Sequence, residues 1–144
     1  MSRQRHLARQ RLVQALYQWQ LTGLAISDIE QQFLREQEMK GVEIDYFCEL
    51  LHQIPAALDE IDNINRPHLD RSVDSLDPIE SAILRIGVYE LRSRPEIPFR
   101  VIINEGVELA KEFGADQSHR YINTILDKAA ATLRPLEVQA RKGT

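Results

Sequence analysis

The stretch from Asp77 to Leu91 restricts the fold more than any other part of this 144-residue chain. Asp77-Pro78-Ile79-Glu80 reads as a helix start, with an aspartate cap, a proline at the first helical position and a carboxylate near the positive helix end. Beyond it, Ile79, Ala82, Ile83, Ile86 and Tyr89 line one side, while Leu84, Val88 and Leu91 line another. A helix that is apolar on two sides has to lie between neighbours. The chain is therefore expected to build its core around this helix.

The rest of the sequence supplies those neighbours. Apolar residues recur at helical spacing nearly throughout, and strand-like alternation is scarce. A first helix is expected from near Arg3 to Leu21, with Ala8, Leu12, Ala15, Leu16 and Trp19 on one face and Gly23 ending it. Ser27 with Glu30 reads as a capping box opening a second helix, which Gly41 closes. A third is expected from about Asp45 to Asp62, kinked near Ile54 because Pro55 removes an amide donor. Another runs from beyond Pro98 to Phe113, with Gly114 as its C′ residue, and the last from about Ser118 to Leu133, stopped by Pro135. The expected fold class is all-α, about seven helices in two small bundles sharing a core. One domain over residues 1–144 is expected, with subdomains near 1–65 and 66–135 and a short frayed tail at 136–144.

Composition narrows the function. One cysteine, Cys48, rules out an intrachain disulfide and a cysteine-based zinc cage and suits a reducing cytoplasm. No apolar run approaches the roughly 20 residues of a membrane span. The basic, amphipathic start has the character of a transit peptide, but Leu12, Leu16 and Trp19 suit a permanent core better. The net charge of −4 hides a segregation: residues 1–11 carry +4, residues 12–80 carry −10 and residues 81–144 carry +2. A basic end on an acidic body can direct a polyanion to one place.

That end carries the sharpest candidate chemistry. Arg3, Arg5, Arg9 and Arg11 offer forked donors for phosphate, Gln4, Gln10, Gln14 and Gln18 can meet base edges, and Tyr17 offers a stacking face. These are the parts of a single-stranded RNA contact, and equally those of a solvated helix end with Tyr17 as edge packing. Four phosphate contacts would give a log–log salt slope of about −2.8. Binding of that size is modest, so a second surface or a second protein is expected to complete it.

Other chemistry has less support. Glu49 and His52 have the Glu-x-x-His spacing of di-iron bundles, and Asp116 with His119 is the nearest second pair, but such a site needs further glutamates, and Asp116 also suits helix capping. No metal or cofactor is expected. Glu105, Glu108 and Glu112 suit a solvated face. Nucleophile elbows, phosphate-binding glycine loops and redox cysteine pairs are absent, so no enzyme activity is expected.

Four collinear blocks carry a family resemblance: Ala8-Arg9 with Val13 to Tyr17; Ile79-Glu80 through Leu84-Arg85-Ile86 to Leu91; Ile103-Asn104-Glu105 through Glu108 to Gly114; and Ser118-His119 to Asn123 with Leu126-Asp127-Lys128. Together they span nearly the whole chain, which resembles the bacterial NusB family. The resemblance implies a seven-helix fold and antitermination on ribosomal RNA operons. It further implies binding of single-stranded boxA RNA together with the ribosomal protein NusE, with other Nus factors and RNA polymerase engaged indirectly. It places RNA contacts on Arg5 and Arg9, and on Lys111, His119, Arg120 and Tyr121, and a partner face on Asp74, Asp77 and Glu80. Acidic residues there suit a basic ribosomal protein. The family's consecutive basic residues are interrupted here by His6 and Leu7, with Arg11 a turn later. Similar helical domains precede the catalytic domain of some RNA cytosine methyltransferases, so an accessory domain of an RNA-modifying system is the first alternative and a metal-binding bundle the second; no cofactor-binding domain is expected to follow.

Overall fold

The computed structural model describes residues 3–142. Among them are eight α-helices, two short 3-10 turns and no strand. No helix of the described residues is long and apolar enough to cross a membrane. The chain divides into two compact units, Met1–Leu58 and Asp59–Thr144, a boundary earlier than the one expected near residue 65.

In the first unit, α1 (Arg3–Thr22) packs on α2 (Ile26–Glu36) and α3 (Ile44–Ala56). Because two helices cover α1, its buried stripe takes in Arg9 and Val13 as well as Ala8, Leu12, Ala15 and Leu16, and is wider than the apolar residues alone suggest. Ile29, Phe33, Phe47, Leu50 and Ile54 complete this core. Gly23 ends α1 in the left-handed region at φ +68°, its amide donating to the Trp19 carbonyl at 2.9 Å.

Two local expectations give way here. The helix α2 begins at Ile26, its cap residue is Ala25, and no side chain caps it, so the Ser27–Glu30 box does not form. Gly41 lies beyond the helix end at Gln37 and turns the loop instead, at φ +79°. The third segment is two helices rather than one kinked helix. Pro55 takes a donor from the last turn of α3, Ala57 leaves helical geometry, and α4 (Leu58–Asn65) starts anew.

The second unit is built on α5 (Pro78–Ser93), α6 (Phe99–Phe113) and α7 (Ser118–Leu133), which pack on one another. The expected cap is present: Asp77 Oδ1 accepts from the amides of Ile79 at 2.8 Å and Glu80 at 3.3 Å. As its two-sided apolar pattern required, α5 is buried along most of its length. The three helices approach closely because Gly87 on α5 and Gly106 on α6 both face Leu126 of α7. A Cβ at either glycine would lie 2.7 Å from a Leu126 methyl. Gly114 ends α6 in extended rather than left-handed geometry (φ −92°), and its need is steric, since a Cβ would sit 2.9 Å from the Ala110 carbonyl oxygen.

The tail expected to fray is largely helical. Pro135 stops α7 and also opens α8 (Pro135–Lys142), which buries Val138. Just before it, Arg134 donates to the carbonyls of Leu91 (3.0 Å), Glu90 (3.2 Å) and Arg94 (2.9 Å) at the end of α5, and to Ile97 at 2.5 Å. They cluster where α5 ends and its C-terminal carbonyls run out of intrahelical donors, although those of Glu90 and Arg94 also accept from the Arg94 and Ile97 amides, both at 3.0 Å. Glu137 accepts from the Phe99 amide at the start of α6 at 2.9 Å and pairs with Arg134 at 3.1 Å. Residues 143–144 of the expected tail lie outside the described residues.

Candidate nucleic-acid interface

The four arginines of α1 meet four different environments. Arg3 is exposed. Arg5 grips Glu43 through both prongs, Nε donating to Oε1 at 3.0 Å and Nη2 to Oε2 at 2.8 Å, and its guanidinium lies 4.0 Å from the Tyr46 ring centre. Arg11 donates from Nε to the Glu38 backbone carbonyl at 2.9 Å and from Nη1 to Gln14 at 3.4 Å. Arg9 is only 1% exposed, with its guanidinium 5.8 Å from the Tyr46 ring centre. The expectation of Arg9 as a surface phosphate contact is therefore corrected. It follows Ala8 into the core because α1 is covered on that side.

Tyr17 is 38% exposed and borders a groove of about 330 Å³ with Gln14, Gln18, Leu21, Phe33 and Gln37. Gln18 already donates to Gln32 at 2.9 Å. Within the first unit, then, an aromatic face and amides adjoin the partly exposed Arg11, with the exposed Arg3 at the far end of the same helix. Such a surface can stack an unpaired base and hold its phosphates.

In the second unit, Lys111 and Arg120 are exposed and His119 is half-buried. Lys111 lies 3.5 Å from Glu108, a solvated pair one helical turn apart. Tyr121 donates its hydroxyl to Asp70 Oδ1 at 3.1 Å, with the Arg71 guanidinium 5.0 Å from its ring centre. Arg71 pairs in turn with Asp70 at 2.7 and 3.0 Å. Burial and the Asp70 carboxylate push the Tyr121 phenol up. The hydrogen bond from Arg71, helped by that from Tyr121, holds Asp70 down at about 2. This triad joins residues 51 positions apart, and nothing in the sequence signals it.

The residues expected at a partner face separate likewise. Asp74 and Asp77 are exposed, although one Asp77 oxygen is engaged in capping α5. Glu80 is 9% exposed and accepts from the Ser118 hydroxyl at 2.9 Å, tying the start of α5 to the start of α7. Its expected place on a partner face is corrected to a buried structural one. Of the residues weighed for metal binding, His52 lies 3.2 Å from Glu30, and the described residues contain no cluster of three or more ligand-type side chains suited to a metal. Asp116 does not cap α7, whose cap residue is Gln117 at φ +75°.

Comparison with known proteins fits this arrangement. Residues 6–131 match the model of the NusB family. The transcription antitermination protein NusB of Alcanivorax borkumensis is 49% identical over 138 residues, covering 96% of this chain and 92% of that protein. The same protein of Idiomarina loihiensis is 50% identical over 131 residues, covering 91% and 94%. Among solved structures, T. maritima NusB superposes with a TM-score of 0.81 at 26% identity, covering 96% of this chain and 99% of that one. A structure of the antitermination factors NusB and NusE in complex with double-stranded RNA matches with the same TM-score and identity, covering 92% of this chain and 99% of its counterpart. With most of its length matched by the family model and by relatives near half identity, this chain belongs to the NusB family of transcription antitermination proteins, which regulate transcription and are not enzymes.

Proposed function

We propose that the protein acts in antitermination by binding boxA RNA in nascent ribosomal RNA transcripts together with NusE, in the cytoplasm, and that other Nus factors and RNA polymerase engage it through that complex. The observation that carries this reading is the likeness over 92% of the chain to a NusB solved with NusE and RNA. The exposed or partly exposed basic and aromatic groups support it: Arg3, Arg5, Arg11 and Tyr17 in the first unit, Lys111, His119, Arg120 and Tyr121 in the second. Asp74 and Asp77 supply outward carboxylates for a basic protein such as NusE.

With Arg9 buried, at most three arginines of α1 remain for phosphates, so this helix contributes a log–log salt slope no steeper than about −2.1. The test is titration of boxA RNA, as single strand and as duplex, with and without NusE and across salt concentrations. Tight binding is expected only with NusE, and Arg3→Ala with Arg11→Ala should flatten the slope by about 1.4. Unchanged affinity and slope in that double variant would remove Arg3 and Arg11 from the RNA surface. Asp74→Lys is expected to weaken NusE association without altering the melt of the free protein, and unaltered co-elution with NusE at low concentration would remove Asp74 from the partner face.

A further inference from the structure

We infer that Glu43 sets the RNA affinity of this protein by occupying the phosphate fork of Arg5. The inference rests on the RNA reading above. The geometry is that of a bound anion: a carboxylate takes Nε and Nη2 of one guanidinium side by side, at 3.0 and 2.8 Å, as a phosphate would. Glu43 is fixed where it stands, because its amide donates to the Gln4 carbonyl at 3.0 Å and it directly precedes α3. Tyr46, one turn into that helix, holds the guanidinium from the face at 4.0 Å. The pair is partly exposed, so solvent and ligand can reach it.

Arg11 makes the contrast. Its Nε is held by the Glu38 backbone carbonyl, an acceptor without net charge that a phosphate outcompetes readily. At Arg5 an incoming phosphate has to displace a full negative charge. A free anion exchanges one ion pair for another and gains nothing. An RNA already held by neighbouring groups presents its next phosphate at high effective concentration and can take the fork. Glu43 thus penalises isolated anions and favours a strand engaged at several points.

The experiment is a double-mutant cycle on binding of a single-stranded boxA oligonucleotide in the presence of NusE, at several salt concentrations. Glu43→Gln keeps the size and a hydrogen-bond acceptor while removing the charge. It is expected to bind about two- to five-fold tighter, the range set by an exposed ion pair, with the log–log salt slope little changed, because the held strand already takes the Arg5 fork in the parent. The gain should vanish when Arg5→Ala is also present. Glu36→Gln, which removes an exposed charge near the end of α2, should give less of a gain. Thermal melts of each variant report whether the first unit stays folded, and Glu43→Asp, which keeps the charge, should bind like the parent if that charge is what matters. A gain that persists in the Arg5→Ala background would reduce the effect to bulk charge, and weaker binding by a folded Glu43→Gln would make Glu43 a support for Arg5; either overturns the inference. If Arg5→Ala itself changes nothing, the assignment of Arg5 to RNA fails first and takes this one with it.

Discussion

The two units use charge differently. In the first, Arg5, Glu43 and Arg11 sit at the rim of an apolar core, where their bonds can be exchanged for bonds to a ligand. In the second, ionic groups run through the structure. Arg85 and Asp62 form a nearly buried two-pronged pair at 2.9 and 3.0 Å, Glu80 joins α5 to α7, and Arg134 closes the end of α5. The same guanidinium chemistry serves recognition in one place and folding in the other. What decides is how many otherwise unpaired backbone or charged groups the side chain satisfies. Arg9, buried beside Tyr46, is where the first unit adopts the habit of the second.

Arg134→Ala should test this most severely. It removes hydrogen bonds to four carbonyls, of which those of Glu90 and Arg94 keep a backbone amide donor, at an expected cost of about 3 kcal/mol by denaturant titration. A loss below about 1 kcal/mol would mean that water replaces the guanidinium easily. Asp62→Ala comes next, taking the two-pronged carboxylate from the nearly buried Arg85, with an expected loss of about 2–3 kcal/mol. If it costs no more than Glu43→Gln, for which under about 1 kcal/mol is expected, the contrast between the units collapses.

A smaller effect is expected from pH in the first unit. Burial raises the Glu30 carboxyl, but hydrogen bonds from Cys48 and His52, with the charge of His52, outweigh it and leave the group below its ordinary value of 4.5. Ionised Glu30 therefore adds stability that is fully present above that value and is lost as pH falls through its lower folded value. The acid limb of a stability profile should flatten in Glu30→Gln; an unchanged limb would show that the Glu30 contacts contribute nothing. The same carboxylate, after burial, pushes the Cys48 thiol up to about 12, so alkylation of the folded protein near pH 8 should be far slower than that of the unfolded chain. Smallest of all is Lys111→Ala, within about 0.5 kcal/mol, since its pair with Glu108 is solvated on both sides.

What could be read from the sequence follows the range of each interaction. The start of α5 was legible because its cap and proline lie within a few residues of its apolar spacing, and the end of α7 because Pro135 follows it. The break after Pro55 was legible as a disturbance but not as a new helix, since whether a chain kinks or restarts depends on the packing of α4. The Ser27 box failed because the helix found its cap two residues earlier, at Ala25, and so took Ser27 into its first turn. At the candidate site, an exposed Tyr17 and Arg3 agree with the helical wheel. The burial of Arg9 does not, because arginine is rarely buried and the wheel cannot show a second covering helix. Glu43 opposite Arg5, Asp70 opposite Tyr121 and Ser118 opposite Glu80 are separated by 38 to 51 residues, so no local pattern announces them. Arg134 left one clue, a cation between a helix end and a proline, which suggests a capping role without saying whose end is capped.

The position of Arg134 also bears on the order of synthesis. The carbonyls it serves, at residues 90–97, leave the ribosome about forty residues before it does, and the α6 amide that Glu137 receives waits almost as long. Until then the ends of α5 and α6 lack these side-chain contacts and are held by backbone bonds such as that from the Arg94 amide to the Glu90 carbonyl. A nascent chain halted before residue 134 should therefore show the end of α5 as more protease-sensitive than it is in the finished protein.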